Sequence, residues 1–339
     1  MSINNYSRSL EIQTRNLFGE YLDDESINEI CYNGDGAIWT QNNKGLWTEH
    51  QRNISFEQIM AFSIALASYK EDTLKNNKPV LSATLNTGER VQVVIPPVTK
   101  KFRISVTIRK PSRVRYTMED YKKQGMFDNA IRSDEKMSNS EEKNLINLFE
   151  KKEWDSFLLE AIRQGKNIVI AGATGSGKTT FMKSLIDYIP DKERIITIED
   201  TEEISFYNHK NYVQLFYPSE AKESDPITST TLLKSSLRMK PDRILLAELR
   251  GAEAYEYLNI LNSGHGGSIT SIHAGGVQQA FYRLTSMAEL NSQVQNIPFE
   301  VIKKSFELVV DVIVTIENNN GVRHFGEVYY KGFNDGKYQ

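Results

Sequence analysis

The sequence predicts an α/β fold: a mostly parallel sheet covered by helices on both faces, preceded by a smaller α+β unit. Three observations carry this. From Asn167 onward, short and nearly continuous apolar segments alternate with helical stretches, the pattern of parallel strands buried on both sides. One of these segments, Asn167-Ile-Val-Ile-Ala171, runs straight into Gly172-Ala-Thr-Gly-Ser-Gly-Lys178-Thr179, which fits G-x-x-x-x-G-K-[ST] at every fixed position. The first hundred residues instead show strand patterns separated by turn-forming residues.

Taken in order, Leu10 to Tyr21 reads as a helix. Ile30-Cys-Tyr32 and Ala37-Ile-Trp39 flank Asn33-Gly-Asp-Gly36, a segment suited to a hairpin. Ser55 and Gln58 form a capping-box signature before a helix over Ile59 to Tyr69, which places Ile59, Phe62, Ile64 and Leu66 partly on one stripe. Arg90 to Ile95 is a strand stopped by Pro96-Pro97. Phe102 to Arg109 alternates, with Ile104, Val106 and Ile108 toward a core and Arg103, Ser105, Thr107 and Arg109 on the opposite face. Residues 112 to about 155 are strongly polar, and Ser133 to Lys143 reads as a mobile insertion without apolar periodicity. Trp154 to Arg163 is an amphipathic helix. Strands then follow at Arg194–Ile198, Tyr212–Phe216, Arg243–Glu248 and Ser268–Ile272. Helices are expected at Lys178–Tyr188, Thr228–Met239, Ala252–Leu261 and Gln278–Met287, and a final hairpin turns around Asn318-Asn-Asn-Gly321.

Composition excludes several classes. With 339 residues, 39% hydrophobic and 25% charged, the chain is globular rather than disordered. Its net charge of -3 supplies no global basic field for nucleic acid or an anionic membrane, and direct nucleic-acid binding is not expected. The single cysteine, Cys31, excludes an intramolecular disulfide and a cysteine zinc cluster, and reads as a small buried hydrophobe. No apolar run reaches the roughly 20 residues that span a bilayer, and the first residues lack the apolar core of a signal peptide. A cytosolic protein, lying against a membrane only through partners, is the expectation.

The glycine-rich segment carries the chemistry. Backbone N–H groups of such a loop curl around phosphate oxygens, and side chains would obstruct that approach. The nucleotide-binding residues expected are Gly172, Ala173, Thr174, Gly175, Ser176, Gly177, Lys178, Thr179 and Thr180. Lys178 would reach the β- and γ-phosphates, the Thr179 hydroxyl would help hold Mg²⁺, and the following helix would face the phosphates with its N-terminus. In an open parallel sheet the ligand sits beyond the carboxyl ends of the strands. Glu199, with Asp200 after it, and Glu248 stand at such ends. Phosphoryl transfer to water needs a metal to neutralise charge and a carboxylate to orient the water. Glu248 is assigned to the Mg²⁺–water network and Glu199 to the attacking water. Two glycine-flanked histidines, His265 and His273, are read as lying at neighbouring strand ends, where one could contact the γ-phosphate.

Four motifs in this order resemble the traffic ATPases of bacterial type IV secretion systems, within the superfamily that includes type II secretion and type IV pilus motors. They are the Walker A loop Gly172–Thr179, an aspartate box at Thr197–Glu203, a Walker B region at Leu237–Arg250 and a histidine box at Ser263–His273. Gly88 to Val94 and Ser105 to Arg109 resemble the family's N-terminal domain. Ala247 departs from the family's frequent glycine before the Walker B glutamate, and Gly266-Gly267 from a common proline. Both are small changes that leave the site intact. The resemblance implies a RecA-like C-terminal domain, a homohexameric ring with nucleotide bound between the two domains, and Arg90 and Arg109 reaching across to the phosphates, where guanidinium groups suit developing charge. It also implies ATP as substrate with Mg²⁺, inner-membrane secretion components as partners, and a peripheral position at the cytoplasmic face. The expected division is an N-terminal domain over 1–112 and an ATPase domain over 113–339, with 113–155 a polar linker region. The resemblance leaves the cargo open between conjugative DNA, protein effectors and DNA uptake. Alternatives are a type II secretion or pilus motor, a RecA-type nucleic-acid motor, and a nucleotide-gated scaffold without turnover.

Overall fold

The computed structural model describes residues 3–112, 115–128, 130, 140–222 and 224–335. Helix α1 (Ile3–Asp23) opens the chain and is followed by β1 (Ile27–Tyr32), β2 (Ala37–Asn42), β3 (Trp47–Gln51), α2 (Phe56–Tyr69), β4 (Val80–Thr84), β5 (Arg90–Val94) and β6 (Ser105–Arg109). These strands form one six-stranded sheet in the order β3-β2-β1-β6-β5-β4, and every pairing in it is antiparallel. Two polar-region helices, α3 (Met118–Lys123) and α4 (Ser140–Glu150), lead to α5 (Trp154–Arg163).

The second sheet contains β7 (Ile168–Gly172), β8 (Ile195–Glu199), β9 (Tyr212–Phe216), β10 (Arg243–Leu246), β11 (Ile269–Ile272), β12 (Val312–Asn319) and β13 (Val322–Tyr330). Its order is β13-β12-β7-β11-β10-β8-β9, parallel throughout except for the terminal β12–β13 hairpin. The connections carry α6 (Lys178–Ile186), α7 (Ser229–Ser236), α8 (Glu253–Asn262), α9 (Val277–Ala288) and α10 (Phe299–Val309), and α11 (Lys331–Asp335) follows β13. Alternate residues of β7 enter different cores. Val169 and Ala171 pack with Leu258, Leu284 and Phe306 from α8, α9 and α10, whereas Ile168 and Ile170 pack with Phe157 of α5 and Met182 of α6. A strand buried on both faces therefore reads as continuously apolar.

The first sheet packs α1 and α2 on one face, through Phe18, Phe62, Leu66, Val93 and Ile108. Helix α2 starts as its sequence dictates: Gln58 N donates to Ser55 Oγ and Ser55 N to the Gln58 side chain, worth about 1 kcal/mol for such a cap. Ile64 departs from the expected stripe and is exposed, because the helix turns it away from Phe62 and Leu66. Ser105 and Thr107 were expected on an outer face, yet both are buried, because that face lies against the second sheet's unit. Val94 and Val98 join the core of the second sheet, and Phe216 N donates to Val98 O at 2.7 Å. Arg194, fully buried, donates to Asn33 and Asn211. Trp47 Nε1 donates to Asp242 at 2.8 Å, and Gln92 to Ser235 at 2.8 Å. Cys31 is fully buried, and burial pushes its thiol up to about 11, which suits a packing role.

The polar segment read as an insertion over Ser133 to Lys143 lies outside the described residues as far as 139. From Ser140 the chain is helical, and Leu145 is buried against Phe157. One apolar contact row sufficed for a helix that composition had hidden. Among the described residues no helix is long and apolar enough to cross a membrane.

Candidate active site

The loop between β7 and α6 is shaped by its glycines. Gly175 and Gly177 adopt φ of +75° and +96°, a left-handed region that side chains make costly. A Cβ on Gly172 would lie 2.6 Å from the carbonyl oxygen of Ile316 in β12, so the loop and the last hairpin approach as closely as backbones can. Gly177 caps α6 without a side-chain hydrogen bond. The first N–H groups of that helix are therefore open to an anion in the loop.

Lys178 is buried, and its Nζ donates to Gly172 O (2.9 Å) and Ala173 O (3.0 Å). It also lies 3.1 Å from His273 Nδ1. Because an ammonium can only donate, Nδ1 is the acceptor and the imidazole proton sits on Nε2. That Nε2 lies 2.8 Å from Glu248 Oε1, close in distance but off the hydrogen-bond axis, and Oε1 has no hydrogen-bond partner. Glu248 Oε2 accepts from Arg250, which also bonds Asp200. Burial works against the Arg250 charge, but its bonds to Glu248 and Asp200 prevail and raise its pKa further. Burial lowers the Lys178 pKa, opposed by Glu248. Strand order explains the grouping: β7, β11 and β10 are neighbours, so the residues just beyond their carboxyl ends meet.

The profile of the type II/IV secretion system protein family matches residues 73–316. The chain belongs to that family. The type IV secretion system protein VirB11 of Brucella suis is 46% identical over 315 residues, spanning 91% of this chain and 87% of that protein. VirB11 of Bartonella quintana is 38% identical over 323 residues (92% and 90%), and PtlH of Bordetella pertussis 34% over 316 residues (92% and 92%). The crystal structure of the VirB11 ATPase from the Brucella suis type IV secretion system, in complex with sulphate, superposes with a TM-score of 0.91 at 42% identity, covering 100% of this chain and 99% of that one.

Not every residue expected in this family site arrives there. Glu199 is fully buried; Oε1 accepts from Thr197 Oγ1 (2.7 Å) and Gln214 Nε2 (3.1 Å), and Oε2 from Glu203 N (2.9 Å) and Ile204 N (2.8 Å). Its acceptor sites are taken by protein, and it pins the turn after β8 instead of facing the loop beside Lys178. Arg90 and Arg109 are register partners on β5 and β6, and the exposed Arg109 pairs with Glu29 at 3.4 Å. They line a cavity of about 1120 Å³ that also includes Lys240, just before β10 begins. The phosphate loop follows the end of β7, so the arginines lie toward the opposite edge of the parallel sheet and do not cross to the loop of their own chain. His265 precedes β11 and lies beside Arg163 and Lys240, also at the edge where strands begin, which corrects its placement beside His273. Burial, then Lys240, lowers its pKa.

Thr179 is half-buried in the first turn of α6, Thr180 is exposed, and Ser176 is buried with an unpartnered Oγ. The unpartnered Oε1 of Glu248 and the Thr179 hydroxyl are hard oxygen donors of the type Mg²⁺ takes, through water in the case of a carboxylate. The donor set fits a magnesium–nucleotide complex. Arg250, two residues beyond Glu248, joins the site without having been singled out by the motif pattern: it bridges Glu248 to Asp200, the second member of the acidic pair after β8.

Proposed function

We propose that this family member is a secretion-system ATPase that binds ATP with Mg²⁺ at Gly172–Thr180 and turns it over with Glu248 as the water-orienting carboxylate. One observation carries the reading: Lys178, His273 and Glu248 form a continuous polar row across the ends of β7, β11 and β10, ending in a carboxylate oxygen without a hydrogen-bond partner. On nucleotide binding, Lys178 exchanges its loop carbonyls for phosphate oxygens. Glu248 Oε1 accepts a hydrogen bond from the attacking water, and Arg250 fixes the carboxylate's other oxygen. His273, set between Lys178 on Nδ1 and Glu248 on Nε2, would register the loss of the γ-phosphate through that row. Thr179, and Glu248 through water, would hold Mg²⁺, which would supply charge neutralisation on the phosphates.

The likeness to VirB11 supports a role in a type IV secretion system, with the protein peripheral at the cytoplasmic face and joined to inner-membrane components. We place the domain boundary at 112/113, between the two sheets. Domain movement in a homohexamer would couple hydrolysis to transport. Because Arg90 and Arg109 face away from their own loop, in a homohexamer they would reach nucleotide only from a neighbouring chain. The direct test is phosphate release: Lys178→Ala abolishes it in an intact protein, and unchanged hydrolysis would remove the reading. Mixing Lys178→Ala and Arg109→Ala chains tests the ring, which predicts partial recovery of turnover.

A further inference from the structure

The β12–β13 hairpin overhangs the phosphate loop. Ile316 pairs with Gly172, the last residue of β7, and β12 then continues three residues further, to Asn319. On the returning strand Arg323 is the register partner of Asn318. This puts the Arg323 side chain on Gly177: a Cβ there would lie 2.9 Å from Nε and 3.2 Å from Cζ. Gly177 is fixed as glycine by its left-handed backbone, and the Arg323 guanidinium rests in the space a side chain there would take.

The hairpin is fastened in place. Phe325 packs edge-on against Phe181 of α6 with ring centroids 5.3 Å apart, and Val277 N donates to Glu327 at 2.6 Å. At the tip, Gly321 N donates to Asn318 Oδ1. Arg323 is exposed and forms no ion pair among the described residues, although Glu317 and His324 nearby pair with each other at 3.3 Å. A guanidinium held at the mouth of a loop built for phosphates, with its charge uncommitted, has one class of partner with matching geometry: planar forks of N–H donors suit phosphate oxygens.

We propose that Arg323 is a nucleotide-binding residue that donates to the phosphate chain common to ADP and ATP, from the same polypeptide as the loop. The proposal rests on the ATP-site reading above. It assigns the terminal hairpin a task beyond closing the sheet: it sets nucleotide affinity.

The test is equilibrium binding of ADP, with inorganic pyrophosphate as a competitor lacking sugar and base, to wild type, Arg323→Gln and Arg323→Lys. Loss of a charge-assisted contact predicts about tenfold weaker ADP binding in Arg323→Gln. Pyrophosphate should weaken by the same factor, Arg323→Lys should recover part of both, and apo melting temperatures should match. Unchanged ADP affinity in Arg323→Gln overturns the proposal. So does weaker ADP with unchanged pyrophosphate competition, which would place the guanidinium on the sugar or base. If wild type itself binds neither ADP nor ATP, the ATP-site reading fails; if wild type binds and Arg323→Gln binds equally, only the Arg323 assignment fails.

Discussion

Glu199 and Glu248 stand at the ends of adjacent parallel strands, one turn of sequence logic apart, and the fold uses them oppositely. Glu199 spends both oxygens on four protein donors and is sealed from solvent. Glu248 spends one oxygen on Arg250 and leaves the other facing His273 without a hydrogen bond. Burying an ionised carboxylate is costly unless its lone pairs are satisfied, and a satisfied one has no acceptor left for water. The difference teaches that a strand-end position gives a carboxylate access to the nucleotide edge, but its neighbours decide whether it does chemistry.

The largest effect that would sharpen this contrast is structural. Glu199→Ala strands the donors of Gln214, Glu203 N and Ile204 N, so it should cost about 3 kcal/mol of stability, read by denaturant unfolding. Glu248→Ala should cost less than about 1 kcal/mol in the same assay; equal losses would break the contrast.

Glu29 offers a third carboxylate for comparison. It is buried, and burial pushes its carboxyl up to about 7 despite Arg109, Lys240 and Arg194 nearby. A raised native pKa means the folded chain holds this proton where the unfolded chain has lost it. The contribution is therefore present below about pH 4.5 and lost as pH rises to about 7. Relative to Glu29→Gln, wild type should lose on the order of 2 kcal/mol across that window, measured as unfolding midpoints at pH 4.5 and 7.5. A parallel pH dependence in the two proteins would show that Glu29 is charged throughout.

The smallest effect concerns orientation. Arg250→Ala frees the Glu248 carboxylate to rotate and should lower turnover about tenfold, with ATP affinity changed far less. Steady-state kinetics distinguishes this from a binding defect, which would raise KM alone.

Much of the parallel half was legible because its signals are local. The Walker A residues are contiguous, and Trp154–Arg163 and Tyr212–Phe216 have the bounds their patterns gave. Lys178, Glu248 and His273 converge because each lies at or just beyond a strand end, and the neighbouring β7, β11 and β10 bring those ends together. What local pattern could not carry was long-range pairing. Gln214 saturates Glu199 from the next strand. The placement of Arg90 and Arg109 depends on contacts such as Asn33–Asn211 and Trp47–Asp242, which join residues 178 and 195 positions apart. Arg323 reaches Gly177 only through the register of the C-terminal hairpin, which lies far along the chain from the loop.

The measurement that bears most directly on the central claim is the rate of phosphate release at saturating ATP and Mg²⁺ for Glu248→Gln and Glu199→Gln, with nucleotide binding verified for both. The account predicts that Glu248→Gln binds ATP but loses turnover by about a hundredfold or more, while Glu199→Gln, where it remains folded, keeps turnover within a few-fold of wild type. Retained hydrolysis in Glu248→Gln, or its abolition in a fully folded Glu199→Gln, would contradict it.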